Sequence, residues 1–257
     1  MKTIAAVILA LGISMNALAV VQTDTVEYKQ GDATLEGYLA YDPGASKRPG
    51  VLVVHDWMGI GPFVKGRAEE LARMGYIAFA ADIYGKGVRP KNPKEAGELA
   101  GKYKGDRGLL RARVLAALDV LKKNERVDRK RIAAIGYCFG GTTVLELARS
   151  GAEIAGVVSF HGGLDNPNPA DARNIKCKVL VLHGADDPFV PSEQVAAFED
   201  EMRKAGVDWQ LVKYSGAVHA FTNPEAGNDN SKGAAYNERA DKRSWDAMKS
   251  FFAEIFR

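Results

Sequence analysis

The sequence predicts one α/β domain with a mostly parallel β-sheet and helices on both faces. Three observations indicate this class: short apolar runs alternate with helical stretches, most runs lack the polar–apolar alternation of half-exposed strands, and no linker divides residues 20–257 into two cores. With 257 residues, 46% of them hydrophobic, the chain is long enough to bury a large core.

The first nineteen residues have the features of a secretory signal peptide. Lys2 provides a positive start, residues 3–15 are almost continuously apolar, and Ala17-Leu18-Ala19 is a small-residue cleavage site. The apolar run is shorter than the ~20 residues needed to span a bilayer. We therefore expect 1–19 to be removed, leaving a periplasmic or secreted single domain at 20–257 with no stable membrane association.

The predicted strands begin with an antiparallel hairpin at 24–29 and 33–41, joined at Gly31-Asp32. Buried strands are then expected at 51–55, 76–80, 132–137, 154–160, 179–183 and 209–214. Helices are expected at 64–74, 93–102, 109–123, 142–149, 192–205 and 244–252. This alternation predicts parallel pairing after the hairpin.

Loops follow the carboxyl ends of these strands, the edge at which open parallel sheets build their sites. The longest polar irregular stretch is 222–237, which is either a mobile lid or a solvated surface loop.

The segment Gly136-Tyr137-Cys138-Phe139-Gly140 lies between a predicted strand and a predicted helix. This is the G-x-C-x-G form of the strand–turn–helix nucleophile elbow, with glycines where side chains would collide. A thiol at a helix N-terminus is favoured as thiolate, and the turn aims the N–H of Phe139 as an oxyanion donor. The alternative is a small buried cysteine at a tight turn.

The order of polar residues along the chain favours the nucleophile. Asp186 and Asp187 follow the strand at 179–183, and His219 follows the last strand. Nucleophile, acid and histidine in this order, each at a strand end, are typical of α/β-hydrolases. Among the four histidines only His219 follows the acid, whereas His55, His161 and His183 precede it.

Five segments of the chain carry a resemblance to a known family: Val51 to Gly59, Ala81 to Gly85, Gly136 to Gly141, His183 to Pro191, and His219-Ala220-Phe221. In these segments the chain resembles the dienelactone hydrolase family of α/β-hydrolases. The resemblance implies an α/β-hydrolase fold in which Cys138 attacks, His219 transfers the proton and Asp187, rather than Asp186, orients the imidazole. It also implies an oxyanion hole formed by the backbone N–H groups of Trp57 and Phe139.

The resemblance also suggests roles for residues around the triad. Asp56 stands where the family usually has a glutamate that engages the resting thiol, so we expect a gating carboxylate there, or a residue that only caps its loop. Family enzymes that cleave dienelactone hold the substrate carboxylate with arginines, one of them shortly after the catalytic histidine, where this chain has none. Lys86 and Arg89 are the candidates to supply that charge from another loop, the alternative being that they are only solvated loop residues, and Tyr84 and Phe221 are expected in the pocket wall.

The expected function is hydrolysis of a small ester or lactone, of the carboxymethylenebutenolidase type, through an acyl-enzyme. The alternatives are an exported carboxylesterase or thioesterase of different substrate range, a ligand-binding hydrolase fold without activity, or a thiol protein pairing Cys138 with Cys177. The net charge of +3 argues against nucleic-acid binding. We expect no metal or organic cofactor, and a monomer.

Overall fold

In the computed structural model, residues 20–44 and 46–257 are described, and the predicted signal peptide at 1–19 lies outside them. The strands of these residues are β1 (Gln22–Gln30), β2 (Ala33–Tyr41), β3 (Arg48–Val54), β4 (Ile77–Ala81), β5 (Val127–Tyr137), β6 (Gly156–Phe160), β7 (Lys178–Gly184) and β8 (Trp209–Tyr214). They form an eight-stranded sheet in the order β1-β2-β4-β3-β5-β6-β7-β8.

The pairing of the strands confirms the expected mostly parallel sheet. β1 pairs with β2 and β2 with β4 in antiparallel register, and every pairing from β4 to β8 is parallel. The parallel strands therefore place their carboxyl ends at one edge of the sheet, where the predicted site residues follow.

The helices lie close to the predicted stretches and differ mainly at their ends. They are α1 (Pro62–Arg73), α2 (Pro93–Gly105), α3 (Arg107–Lys123), α4 (Phe139–Arg149), α5 (Ser192–Ala205) and α6 (Glu238–Ile255). The side chain of Asn92 accepts the N–H of Glu95 at the start of α2, and Asp106 does the same for Leu109 in α3. Such caps satisfy N–H groups that have no partner within the helix.

The central strands read as continuous apolar runs because the sheet is buried on both faces. In β3, Leu52 and Val54 belong to the core on one face, while Val51 and Val53 belong to the core on the other. Residues from α3, α4 and α5 complete the first core, and residues from α1 and α6 complete the second. Helices therefore cover both faces, as predicted.

A buried ion network fixes α4 against α5. The guanidinium of Arg149 lies 2.7 Å from a carboxylate oxygen of Glu201 and 3.0 Å from one of Glu146, and none of the Arg149 side chain is exposed. Arg111 of α3 contacts the second oxygen of Glu146 at 2.8 Å. Loss of any one partner would leave a buried charge unpaired, which is costly. The network therefore fixes the position of α4, the helix that begins next to Cys138.

Candidate active site

Cys138 occupies a sharp turn between β5 and α4. Its backbone has φ 53° and ψ −112°, a conformation that residues other than glycine rarely adopt. The flanking glycines are required by space: a Cβ on Gly136 would lie 2.0 Å from the carbonyl oxygen of Gly140, and one on Gly140 would lie 2.2 Å from that of Val54. The turn therefore projects the thiol away from the sheet.

Three side chains predicted from the sequence meet at this turn. The sulfur of Cys138 lies 3.0 Å from Nε2 of His219, and Nδ1 of His219 lies 2.8 Å from Oδ2 of Asp187. The second oxygen of Asp187 accepts the N–H of Phe189 at 2.9 Å. Asp186 instead accepts the N–H of Gly216 at 3.0 Å, and in the described chain it makes no hydrogen bond to the imidazole.

The loops after β7 and β8 position the acid and the histidine. The Asp187 side chain is fully buried and that of His219 is 13% exposed, so water competes little for their contact. The N–H of His219 donates to the carbonyl of Gly233, and its own carbonyl accepts the N–H of Ala235. The segment 222–237 thus supports the histidine through two backbone hydrogen bonds.

The electrostatics of the site favour a charged imidazole. Burial alone would lower the pKa of His219, but the charge of Cys138 and hydrogen bonds to Asp187 and Cys138 outweigh it and raise the pKa to about 10. A cationic imidazole beside a sulfur is the arrangement that activates reactive cysteines as nucleophiles.

The backbone around the sulfur carries two N–H groups suited to bind an oxyanion. Phe139 is the first residue of α4, so its N–H has no partner within the helix and lies at the positive end of the helix dipole. Within the described chain, the N–H of Trp57 forms no hydrogen bond, while its carbonyl accepts the Tyr84 hydroxyl at 3.0 Å. Both residues line the cavity above Cys138.

This cavity has a volume of about 650 Å³ and contains Cys138 and His219 in its wall. Its apolar side chains include Trp57, Met58, Phe63, Phe189 and Val190. Besides His219, its charged side chains are Asp56, Lys104, Glu225 and Lys232. The cavity therefore offers an apolar rim together with charges of both signs.

The structure does not bring the four predicted substrate-binding residues to the cavity wall. Lys86 pairs with Glu27 of β1, and Arg89 donates to the carbonyls of Ile60 and Val88 at 3.2 Å and 2.7 Å. Tyr84 and Phe221 are buried, at 4% and 0% exposure.

The positions of these residues outside the cavity wall have simple physical causes. Two lysines that the sequence did not indicate lie in the wall instead. The Lys86 and Arg89 charges are engaged by a carboxylate and by backbone carbonyls, and the Tyr84 ring packs on Phe139 beneath the cavity. Lys104, in the last turn of α2, and Lys232 are the lysines that line the cavity. No sequence signal indicated which end of α2 faces the site.

Asp56 lines the cavity but is engaged with its own loop. Its Oδ1 accepts the N–H of Met58 at 2.8 Å, the loop-capping arrangement that the sequence left open. Burial raises the pKa of Asp56; the Met58 N–H and His219 lower it, and Glu225 adds to the rise. In the described residues the Asp56 carboxylate makes no hydrogen bond to Cys138.

Cys138 and Cys177 are both free thiols, so the alternative of a disulfide between them is wrong. Cys177 is buried just before β7, away from the edge where β5 ends. Among residues 20–44 and 46–257, no group of three or more histidine, cysteine or acidic side chains is placed to bind a metal ion. No helix in this part of the chain combines the length and apolarity needed to cross a bilayer.

The strand order, and the positions of Cys138 after β5, Asp187 after β7 and His219 after β8, define an α/β-hydrolase fold. The chain belongs to the dienelactone hydrolase family, whose model matches residues 35–256, and it is a hydrolase of that family.

Individual relatives agree with this assignment. The chain is 42% identical to P91, a dienelactone hydrolase-like promiscuous phosphotriesterase from metagenomic libraries, with a TM-score of 0.87 over 91% of this chain and 98% of that one. It is 28% identical to "Protein usf" of Aquifex pyrophilus, covering 89% of this chain and 97% of that protein. It is also 28% identical to the "Probable 2-oxo-3-(5-oxofuran-2-ylidene)propanoate lactonase" of a Bradyrhizobium species, covering 80% and 86%.

Proposed function

We propose that this protein hydrolyses carboxylic esters or lactones, with Cys138 as nucleophile, His219 as acid and base, and Asp187 as the residue that orients His219. The observation that carries the proposal is the continuous contact from the sulfur through the imidazole to the buried carboxylate, at 3.0 Å and 2.8 Å, in the wall of the cavity. These are the distances required of a nucleophile, its base and the group that orients the base.

In the acylation half, the Cys138 thiolate adds to the carbonyl carbon of the substrate. The carbonyl π electrons move to oxygen, and the N–H groups of Phe139 and Trp57 stabilise the resulting oxyanion. When the intermediate collapses, the carbon–oxygen bond to the leaving group breaks, and Nε2–H of His219 gives its proton to the departing oxygen. The products are the alcohol and a thioester on Cys138.

In the deacylation half, neutral His219 removes a proton from water as the water oxygen adds to the thioester carbon. The second oxyanion collapses, the carbon–sulfur bond breaks, and the carboxylic acid leaves. Sulfur departs as the thiolate while His219 keeps the proton, so the starting ion pair is restored. Asp187 stabilises the imidazolium in both halves.

The nucleophile and the cavity lining favour substrates that are esters or lactones with a good leaving group and an apolar portion. A thiolate beside an imidazolium is a weakly basic nucleophile, so a good leaving group such as an enolate or phenolate favours forward collapse. The Trp57, Met58 and Phe189 side chains form an apolar rim for the remaining part of the substrate. The lactonase name of the Bradyrhizobium relative fits a cyclic substrate of this kind.

The test compares Cys138→Ala with Cys177→Ala on p-nitrophenyl acetate. Cys177 is the matched control because it is the second free thiol and is buried before β7. We expect the first variant to lose ester hydrolysis and the second to retain it. Intact-mass measurement during turnover of the unmodified enzyme should show an acetyl adduct that is absent from Cys138→Ala. Turnover by Cys138→Ala at the unmodified rate would refute the proposal.

A second candidate activity is hydrolysis of phosphotriesters. It is favoured by the 42% identity to P91 over 91% of this chain. The thiolate would attack phosphorus and displace a phenolate, and water assisted by His219 would then cleave the phosphorus–sulfur bond. The measurement is release of p-nitrophenol from diethyl p-nitrophenyl phosphate, with Cys138→Ala as control. Release by the unmodified enzyme no faster than by Cys138→Ala would exclude a phosphotriester hydrolysis that uses Cys138.

We also propose that the mature protein is exported and works as a monomer. Residues 1–19 support export, because their positive start, apolar run and Ala-Leu-Ala end match a cleaved signal. Expression of the full chain in a Gram-negative host, followed by cell fractionation and mass measurement, should give a periplasmic protein beginning at Val20. Light scattering of that protein should give the mass of one chain. A cytoplasmic protein of full length would contradict export.

A further inference from the structure

Strained backbone in this protein is concentrated around the sulfur. Among the described residues, the non-glycine residues with positive φ are Cys138 at 53°, His161 at 40° and Ala220 at 56°. Such conformations carry a cost of roughly 1–3 kcal/mol each and persist only where surrounding contacts enforce them. Cys138 carries the nucleophilic sulfur and Ala220 directly follows His219. His161 directly follows β6, the strand next to β5 in the sheet.

A short chain of hydrogen bonds through His161 connects these places. The backbone N–H of Cys138 is shared between the carbonyl of Phe160 at 3.0 Å and Nδ1 of His161 at 3.2 Å. Nε2 of His161 lies 2.8 Å from the hydroxyl oxygen of Thr222. Because Nδ1 accepts an N–H, the single proton of a neutral ring is on Nε2, which donates to Thr222.

The surroundings of His161 keep its ring neutral. Burial lowers the pKa of His161 well below its ordinary value, and the positive charges of His219 and Arg67, with His183, act in the same direction. The ring is 2% exposed, and its centroid lies 5.3 Å from that of His219. A second proton would place Nδ1–H against the N–H of Cys138, so only the neutral ring fits this contact.

We propose that His161 is a positioning residue that ties the strained backbone of Cys138 to the loop carrying His219, so that sulfur and Nε2 stay in contact. The inference rests on the proposed function, since it assigns His161 a role through that pair. His161 touches no reacting atom in this role. It acts through the amide of the nucleophile on one side and through Thr222, three residues after the base, on the other.

The two ends of the chain can be tested separately with matched variants. His161→Gln retains one acceptor and one donor on its side-chain amide, whereas His161→Phe retains neither. Thr222→Ser retains the hydroxyl, whereas Thr222→Val removes it at nearly the same volume. His183→Phe is the control for losing a buried imidazole at the same sheet edge, because Nδ1 of His183 has no hydrogen-bond partner in the described chain.

The experiment measures p-nitrophenyl acetate kinetics and the rate of iodoacetamide alkylation at Cys138 from pH 5 to 10, read by mass spectrometry. We expect His161→Phe to lower kcat about 10- to 100-fold with KM little changed, since small displacements of reacting groups have effects of this size. Its alkylation should slow at neutral pH and require higher pH. Thr222→Val should move both readouts in the same direction by less, while His161→Gln and Thr222→Ser should restore most of the loss.

Several outcomes would overturn the inference. These are unchanged kinetics and alkylation in folded His161→Phe, equal impairment of His161→Gln and His161→Phe, or a loss in His183→Phe as large as in His161→Phe. If His161→Phe does not fold, the comparison of Thr222→Val with Thr222→Ser decides, and equality of those two overturns the inference. Alkylation reports on Cys138 without any substrate, so it tests the role of His161 independently of ester hydrolysis. A failure of the proposed ester hydrolysis would be seen separately, as turnover by Cys138→Ala at the unmodified rate.

Discussion

The sulfur of Cys138 lies 3.0 Å from Nε2 of His219, although the two residues are 81 positions apart in the chain. β5 delivers the first to the carboxyl edge of the sheet, and the loop after β8 delivers the second. Three parallel pairings connect β5 to β8, so both strands run in the same direction and their carboxyl ends lie at the same edge. The contact therefore depends on the register of the sheet as much as on the two side chains.

Asp187→Asn should remove the charge that stabilises the His219 imidazolium while leaving the side-chain volume almost unchanged. We expect kcat for p-nitrophenyl acetate to fall about 10²- to 10⁴-fold. Asp186→Asn is the matched control, because that exposed carboxylate contacts the N–H of Gly216 rather than the imidazole. Steady-state kinetics of the two variants decide the assignment, and a larger loss in Asp186→Asn would reverse it.

Gly136→Ala should destabilise the fold by more than about 3 kcal/mol, because the new methyl group would lie 2.0 Å from the carbonyl oxygen of Gly140. Gly66→Ala, inside α1, is the control, since nothing lies within 4 Å of its Cβ position. Helix propensity then predicts a gain in stability of up to about 1 kcal/mol. Urea unfolding measures both changes, and similar unfolding midpoints would show that the elbow can relax.

Most of the fold could be predicted from sequence because strand burial and strand length leave clear patterns. The runs at 51–55 and 132–137 are apolar at successive positions, and the structure buries both faces of β3 and β5. Helix ends leave weaker patterns. α4 begins at Phe139 rather than near residue 142, because the elbow passes directly into the helix and the glycines there contribute no apolar periodicity.

The triad residues could be identified from their order after strand ends, whereas the cavity wall could not. Lys86 and Arg89 follow a strand as binding residues often do, yet Glu27 and backbone carbonyls engage their charges. Lys104 reaches the cavity because α2 packs with its C-terminal end toward the site. That orientation depends on tertiary packing. The role inferred for His161 depends on a backbone conformation that its residue type does not suggest.

Lys104→Met should lower kcat/KM for esters whose acyl group carries a carboxylate. The Lys104 ammonium lies 3.8 Å from Asp165, and Arg107 contacts that carboxylate more closely at 2.5 Å, so the lysine retains capacity for an anionic substrate group. A charge-assisted hydrogen bond of this kind is worth about 1.5–3 kcal/mol, or roughly 10- to 100-fold in kcat/KM.

The measurement compares kcat/KM for a p-nitrophenyl monoester of glutaric acid with that for p-nitrophenyl butyrate. Lys86→Met is the control, since it removes the same charge outside the cavity. We expect Lys104→Met to lose activity on the charged ester alone. Equal losses on both esters, or the same loss in Lys86→Met, would exclude Lys104 as the group that recognises an anionic acyl chain.

Acid should destabilise this protein partly through His55. Burial lowers the pKa of His55 to about 4, with its Nδ1–H donating to the Asp56 carbonyl at 2.6 Å and Nε2 accepting the N–H of Ile83 at 3.3 Å. Between its ordinary pKa of about 6.5 and that value, the unfolded chain binds a proton that the folded chain does not. The free energy of unfolding therefore falls as pH drops through this range, by about 3 kcal/mol for His55 when the drop is complete.

His219 opposes this slope at pH 6.5 and above and adds little to it at lower pH. Its pKa is raised from 6.5 to about 10, so well below 6.5 it is protonated in both states, and its contribution to stability is lost as pH rises from there through the folded pKa. Urea unfolding at pH 6, 5 and 4, where His219 is protonated in both states, should show decreasing stability, and His55→Gln, which cannot titrate, should show a shallower decrease. An identical pH slope in the two proteins would mean that His55 is protonated in the folded state, and its hydrogen bond from Ile83 would then have to be broken.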